Sequence, residues 1–171
     1  MTVSSEKPDM PVFLVEYDTR WPADFAAERE RLDAVLRGHD PDIEHIGSTA
    51  IPGMAAKPVI DIRVLVDDIA EAPDCIGRLG SLEYHYHPYA EDVFPERRWF
   101  CKPNQTARTH HLHLVERGTA FHVDHLLFRD YLRTNAVAAG NYATLKGASQ
   151  LNFPMTGTDI PMRNPISLRT C

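Results

Sequence analysis

Cysteine is scarce in this chain of 171 residues, which contains only Cys75, Cys101 and Cys171. These three residues are widely spaced, so they offer neither a disulfide framework nor a Cys-x-x-Cys metal site. Such cysteine usage favours a reducing compartment, and we therefore expect a cytoplasmic protein.

The chain also lacks an excess of positive charge and any long apolar run. Its 18 Lys and Arg residues against 24 Asp and Glu residues give a formal net charge of −6. This charge argues against nucleic acid as the main partner, although a mononucleotide needs only a local positive site. No apolar run approaches the about 20 residues of a membrane helix. We therefore expect no membrane partner. Residues 1–10 are polar, so we also expect no signal peptide.

The length predicts a single domain over residues 11–150, preceded by a loose tail at 1–10 and followed by an irregular tail at 151–171. Hydrophobic periodicity predicts helices and five strands. The helices are expected at 21–37, 68–79, 120–133 and 136–150, and the strands at 42–46, 59–66, 82–89, 98–102 and 109–116. Helices before, between and after a five-stranded sheet indicate an α/β or α+β domain.

The third predicted helix has a regular apolar pattern. Helical spacing predicts one edge of its buried face from Ala120, Val123, Leu127 and Tyr131, widened by Leu126 and Leu132. Arg129 and Arg133 lie one turn apart on this helix, where a surface ion-pair face is the simpler explanation, although two cations would also suit a triphosphate.

The segment 44–62 carries most of the chemical information. An apolar strand ends in Gly47-Ser48, where glycine lets the backbone approach a phosphate and the serine hydroxyl can donate to its oxygens. An ordinary turn would also fit, but the neighbouring Pro52-Gly53 and Lys57-Pro58 pairs favour a shaped pocket. Lys57 could pair with a phosphate as a point charge.

Asp61 interrupts the apolar run 59–62 and is the candidate catalytic carboxylate. A buried unpaired charge is costly, so Asp61 must meet a cation, a metal or hydrogen-bond donors. An ion pair with Arg63 or another arginine is the structural alternative.

His111 and His113 are candidate metal ligands together with Asp61. Residues two apart on a strand share a face, and a His-x-His pair on a strand is a known metal-ligand geometry. Phosphate binding, action as a base near neutral pH, and a solvated strand face remain alternatives. Arg97 and Arg98 point to opposite faces of their strand, so one of them could reach a phosphate, and we assign that role to Arg98.

These motifs resemble the GrpB family, small proteins also found fused to some dephospho-coenzyme A kinases. The resemblance spans about residues 14–147, and its matching segments are 44–62, 94–100, 109–115, 127–133 and 142–146. It implies a nucleotidyltransferase-like fold, with a mixed β-sheet flanked by helices.

In active nucleotidyltransferases a Gly-Ser turn holds nucleotide phosphates, and the following strand carries two carboxylates that bind divalent metal. The resemblance places Gly47-Ser48 at the turn and Asp61 at one carboxylate. The partner carboxylate falls at Val59 or Arg63, neither of which is an acid. A later strand often adds a third acid, where this chain has histidines. The segment from Leu151 also lacks the tyrosine- and lysine-bearing helix with which such proteins usually end.

Three functions follow from these features. The first is transfer of a nucleotidyl group to a small acceptor with a divalent metal, Mg²⁺ or Mn²⁺ rather than Zn²⁺. The second is a non-catalytic module that binds a nucleotide or another small phosphate-bearing ligand, or that assists folding of a partner. The third is a metal-dependent hydrolase that uses histidine and aspartate.

Overall fold

The computed structural model describes residues 13–92, 94–103 and 108–152. Its helices are α1 (Trp21–Val35), α2 (Ala72–Gly80), α3 (Ala120–Thr134) and α4 (Ala136–Asn152), and its strands are β1 (Asp42–Ile46), β2 (Ile60–Val66), β3 (His85–Tyr86), β4 (Arg97–Lys102) and β5 (His110–Glu116). The predicted tail at 1–10 and residues 153–171 lie outside the described residues. Helix α4 continues through residues 151 and 152, which were predicted to be irregular.

The five strands form one mixed sheet in the order β1-β2-β5-β4-β3. Strand β2 is parallel to β5, and the other three pairs are antiparallel. The parallel register places Asp61 beside His111 and Arg63 beside His113. The predicted mixed sheet flanked by helices is therefore confirmed, although the strand predicted at 82–89 is only two residues long.

Each face of the sheet is covered by different helices. Side chains that alternate along the strands form the main core with α1 and α2, and they include Ile62, Val64, Phe100, Leu112 and Leu114. On the other face Phe121 of α3 packs against Leu65 and Val115. Because side chains alternate on a strand, this second face also carries Asp61 and both predicted metal histidines.

Helix α3 is placed as predicted, but its predicted buried edge is wrong. Val123, Leu127 and Tyr131 are 44%, 63% and 54% exposed. The helix instead turns Arg129 inward, where Nη1 donates to Glu44 Oε2 at 2.6 Å and to the His45 carbonyl at 2.8 Å. The face of α3 that meets the sheet therefore carries Arg129 together with Phe121 and Leu132.

The part of the chain that the structure describes contains no helix long and apolar enough to cross a membrane.

Candidate functional site

The turn after β1 lies directly against Asp61. In the antiparallel β1–β2 pair Ile46 is opposite Asp61, so the next residue, Gly47, passes over the aspartate side chain. Gly47 has φ +72°, and a Cβ atom added there would lie 2.9 Å from Asp61 Cβ and would also meet Oδ2. Glycine is therefore required both by the backbone conformation and by the close approach of Asp61.

Helix α4 brings a lysine and a tyrosine to this turn. Lys146 Nζ donates to Ser48 Oγ at 2.8 Å and to the Ala55 carbonyl at 3.2 Å. Burial raises the pKa of the Tyr142 hydroxyl, and the nearby Ser48 side chain opposes this rise. The helix is held there by an apolar cluster in which Tyr142 and residues of α3 and α4 pack against Ile51 and Met54. The serine of the Gly-Ser turn thus contacts a cation and lies near a phenol.

Lys146 is a cation in a poorly hydrated position. Burial lowers the pKa of Lys146 to about 8, and the carboxylate of Asp61 opposes this effect. Its hydrogen-bond partners are neutral oxygens, which do not compensate its charge. An anion that reaches this position would stabilise the protonated lysine.

The burial of Lys146 predicts a pH-dependent stability. The pKa of about 8 in the folded chain lies below the ordinary value of 10.5, so the unfolded chain binds more protons between these pH values. The free energy of unfolding should therefore rise with pH across this window, and Lys146→Met removes that contribution. We expect the difference in unfolding free energy, wild type minus variant, to increase from pH 8 to pH 10.5 in urea titrations. A constant difference would mean that Lys146 titrates alike in both states.

Asp61 and His111 form a hydrogen-bonded pair. His111 Nδ1 lies 3.0 Å from Asp61 Oδ1, and the side chains are 14% and 30% exposed respectively. With the Nδ1 proton donated to the carboxylate, Nε2 of a neutral imidazole is an acceptor. This Nε2 atom is buried and has no hydrogen-bond partner among the described residues. Asp61 is thus paired with a histidine and not with the predicted alternative, Arg63.

Arg63 occupies the position two residues after Asp61 on the same face of β2. Its side chain is fully buried, Nη1 donates to the His122 carbonyl at 3.1 Å, and Nη2 lies 3.4 Å from Asp42 Oδ2. The arginine therefore joins β2 to β1 and to the start of α3. This pairing fixes the Arg63 cation on the face of Asp61.

His113 shares the face of Asp61 but has a different environment. It is buried, its Nδ1 lies 3.4 Å from Arg97 Nη1, and its ring centroid is 5.3 Å from that of Phe121. Burial holds the pKa of His113 well below its usual value. Within residues 13–92, 94–103 and 108–152, no three His, Cys, Asp or Glu side chains are grouped as metal ligands. The trio of Asp61, His111 and His113 is therefore not assembled as predicted.

The two other predicted phosphate ligands are separated by the sheet. Lys57 is half-buried. Burial lowers its pKa most, the Arg108 cation lowers it further, and the Asp61 carboxylate raises it. Lys57 is thus close enough to Asp61 to interact with it electrostatically. Arg98 is opposite Leu114, on the α1 and α2 face, where Nη1 donates to the Pro95 carbonyl at 2.7 Å. The strand places Arg97, not Arg98, on the face of Asp61.

Two residues of the site, Tyr142 and Lys146, are not among the residues that the sequence motifs predict for it. Both lie on α4, which begins at Ala136 and so starts before the segment after Leu151 in which the resemblance implied a tyrosine- and lysine-bearing helix. Their i,i+4 spacing, which puts both on one face of a helix, was the signal in the sequence.

Comparison with known proteins gives consistent matches. The family profile described as GrpB protein matches residues 11–159. UPF0157 protein YqkA of Bacillus subtilis is 40% identical over 139 residues, which cover 81% of this chain but only 40% of YqkA. UPF0157 protein BH1888 of Halalkalibacterium halodurans is 38% identical over 148 residues, covering 85% of this chain and 73% of that protein. This chain thus spans less than half the length of YqkA.

Solved structures match over most of the chain. The crystal structure of conserved protein GrpB from Enterococcus faecalis has a TM-score of 0.72 and 34% identity, covering 82% of this chain and 84% of that chain. A structure of the Cid1 poly(U) polymerase has a TM-score of 0.53 and 16% identity, covering 79% of this chain and 44% of Cid1. At this low identity, the second likeness shows a shared nucleotidyltransferase-like fold and nothing further.

Proposed function

This chain belongs to the GrpB family, and we propose that it binds a phosphate-bearing ligand, a nucleotide, at the site of Gly47-Ser48, Asp61 and Lys146. The observation that supports this most strongly is the contact of Lys146 Nζ with Ser48 Oγ at 2.8 Å. It places a half-buried cation with neutral partners on the turn that the sequence predicts for phosphate binding. A phosphate would receive a charge-assisted hydrogen bond from Lys146 and a second hydrogen bond from the serine hydroxyl.

A nucleotide is favoured over a bare phosphate by the fold. Cid1, which shares the fold, is a poly(U) polymerase whose structure was solved with MgGTP bound. Lys57 adds a second cation that interacts electrostatically with Asp61, so the site offers positive charge for more than one phosphate. We therefore expect nucleoside triphosphates to bind more tightly than monophosphates.

The donor set does not fit a two-metal centre, since Asp61 has no second acid at either of the expected positions, Val59 or Arg63. It suits at most one divalent ion, Mg²⁺ or Mn²⁺, which Asp61 would share with phosphate oxygens of the ligand. Zn²⁺ fits less well, because a zinc site needs three or four protein ligands and no such group occurs among the described residues. When bound, the ion would neutralise phosphate charge.

A thermal-shift series tests the binding proposal. The four ribonucleoside triphosphates are added to the full chain with and without Mg²⁺. At 100 times the dissociation constant, a ligand should raise the melting temperature of a domain of this size by roughly 5–10 °C. The proposal would be contradicted if no nucleotide raises the melting temperature and pyrophosphate at the same concentrations does not raise it either.

Nucleotidyl transfer is the second candidate, favoured by the Asp61–His111 pair. In this reaction an acceptor hydroxyl attacks the α-phosphorus, the bond from this phosphorus to the bridging oxygen breaks, and pyrophosphate leaves. His111 Nε2, unpartnered within the described chain, would take the hydroxyl proton, with Asp61 orienting the ring. Pyrophosphate release that requires an acceptor and is lost in Asp61→Asn would support transfer. Nucleotide binding without pyrophosphate release would support a non-catalytic binding module instead.

A further inference from the structure

We infer that Arg108 forms a second oxyanion subsite on the same face of the sheet, beside Trp99 and His111. This inference rests on the proposed function. It adds a second bound anionic group of the phosphate class. The group belongs either to the far end of the ligand at Ser48 or to a second, phosphorylated molecule.

Arg108 is a buried cation that forms no ion pair with a carboxylate of the described residues. It is 6% exposed, and its Nε and Nη2 atoms are buried and lack a hydrogen-bond partner among the described residues. Its guanidinium lies 5.1 Å from the centroid of the Trp99 ring, an aromatic contact that stabilises the cation without satisfying its donors. Buried charges in proteins are normally paired, so these free donors indicate a position for an anion.

Neighbouring groups strengthen this interpretation. Lys57 and Arg108 both act electrostatically on the thiol of Cys101, which pairs with His111 across β4 and β5. The rings of His111 and Trp99 are 5.5 Å apart, and His111 Nε2 is also buried without a described partner. A phosphate can accept hydrogen bonds from both unpartnered guanidinium nitrogens of Arg108, which leaves His111 Nε2 available to an acceptor hydroxyl.

The two residues that report on the subsites, Ser48 and Trp99, are separated by two strands of the sheet. Ser48 follows β1, while Trp99 lies on β4, and β2 and β5 separate these strands. Three strand spacings amount to about 14 Å. Asp61 and His111 lie between the two subsites, so a ligand or ligand pair that occupies both would place its reacting or bridging part over that pair.

An NMR titration of the full chain with sodium phosphate tests the inference, with sodium chloride at matched ionic strength as the control. We expect phosphate to shift two signals, the Ser48 amide and the Trp99 indole N–H. In Arg108→Gln the Trp99 response should weaken at least about tenfold while the Ser48 response persists. In Lys146→Met the pattern should reverse. Arg108→Lys, which keeps the charge but loses the fork, should weaken the Trp99 response less.

The outcomes separate the two proposals. A Trp99 response that is absent in wild type, or unchanged in folded Arg108→Gln and Arg108→Lys, overturns the second subsite and leaves the first intact. A Ser48 response that is absent, or unchanged in Lys146→Met, overturns the proposed ligand site instead. Saturation with a nucleoside triphosphate identifies the source of the anion. If Trp99 then no longer responds to phosphate, one ligand spans both subsites. If it still responds, a second molecule supplies the anion.

Discussion

Replacing Gly47 with alanine should lower the free energy of unfolding by about 2–4 kcal/mol and abolish nucleotide binding. The positive φ of +72° strains any side chain at this position, and the new Cβ would meet the Asp61 carboxylate. To relieve that contact, Asp61 must leave its place beside His111. Chemical denaturation measures the first effect, and calorimetric titration measures the second.

Gly53→Ala is the matched control. Gly53 has a similar φ of +78°, but a Cβ atom there would have no neighbour within 4 Å. Only the backbone strain applies, so the expected loss is about 1–2 kcal/mol with ligand affinity retained. Equal losses of stability and binding in the two variants would show that the Asp61 contact has no part in the effect.

Replacing Glu28 with leucine should destabilise the protein by about 3–5 kcal/mol, because it leaves the buried ammonium of Lys102 without its carboxylate. The two groups pair at 2.5 Å between α1 and β4, and their side chains are 4% and 9% exposed. Lys102 Nζ lies 4.8 Å from the centroid of the Tyr84 ring. This contact reduces the expected loss of stability but supplies no negative charge. Urea denaturation of the single variant measures the cost.

Two further variants separate the ion pair from the helix position. Glu28→Leu combined with Lys102→Met removes both charges and should recover most of the lost stability. Asp33→Leu also replaces a carboxylate by leucine, but at an exposed site of α1 where the pair with Arg29 is 3.8 Å long, and should cost less than about 0.5 kcal/mol. If the double variant is no more stable than Glu28→Leu, packing rather than charge is the cause.

The core of the site follows from local sequence patterns. An apolar strand, a glycine turn and a second strand that carries Asp61 predict that the turn and the carboxylate meet, because successive strands of this kind usually pair. The histidines at alternate positions of β5 likewise predict a shared face. The structure places both histidines on the face of Asp61, and the register then decides that His111, not His113, contacts it.

The remaining features depend on interactions that the sequence does not show. Lys146 meets Ser48 across 98 positions of the chain, a contact that only the packing of α4 determines. Arg98 was preferred to Arg97 although the two face opposite ways, since alternation alone does not tell which face carries the site. Val123, Leu127 and Tyr131 were predicted to be buried because they are apolar at helical spacing. The spacing does not show that Arg129 faces the sheet instead.

The most direct test of the account is the calorimetric affinity of a nucleoside triphosphate for wild type, Lys146→Met and Arg98→Met. Both variants remove one cation, but Lys146 lies at the Gly-Ser turn and Arg98 on the opposite face of the sheet. We predict a loss of at least about tenfold in Lys146→Met and an unchanged affinity in Arg98→Met. Equal affinities in all three proteins, or an equal loss in both variants, would contradict a phosphate site at Ser48 and Lys146.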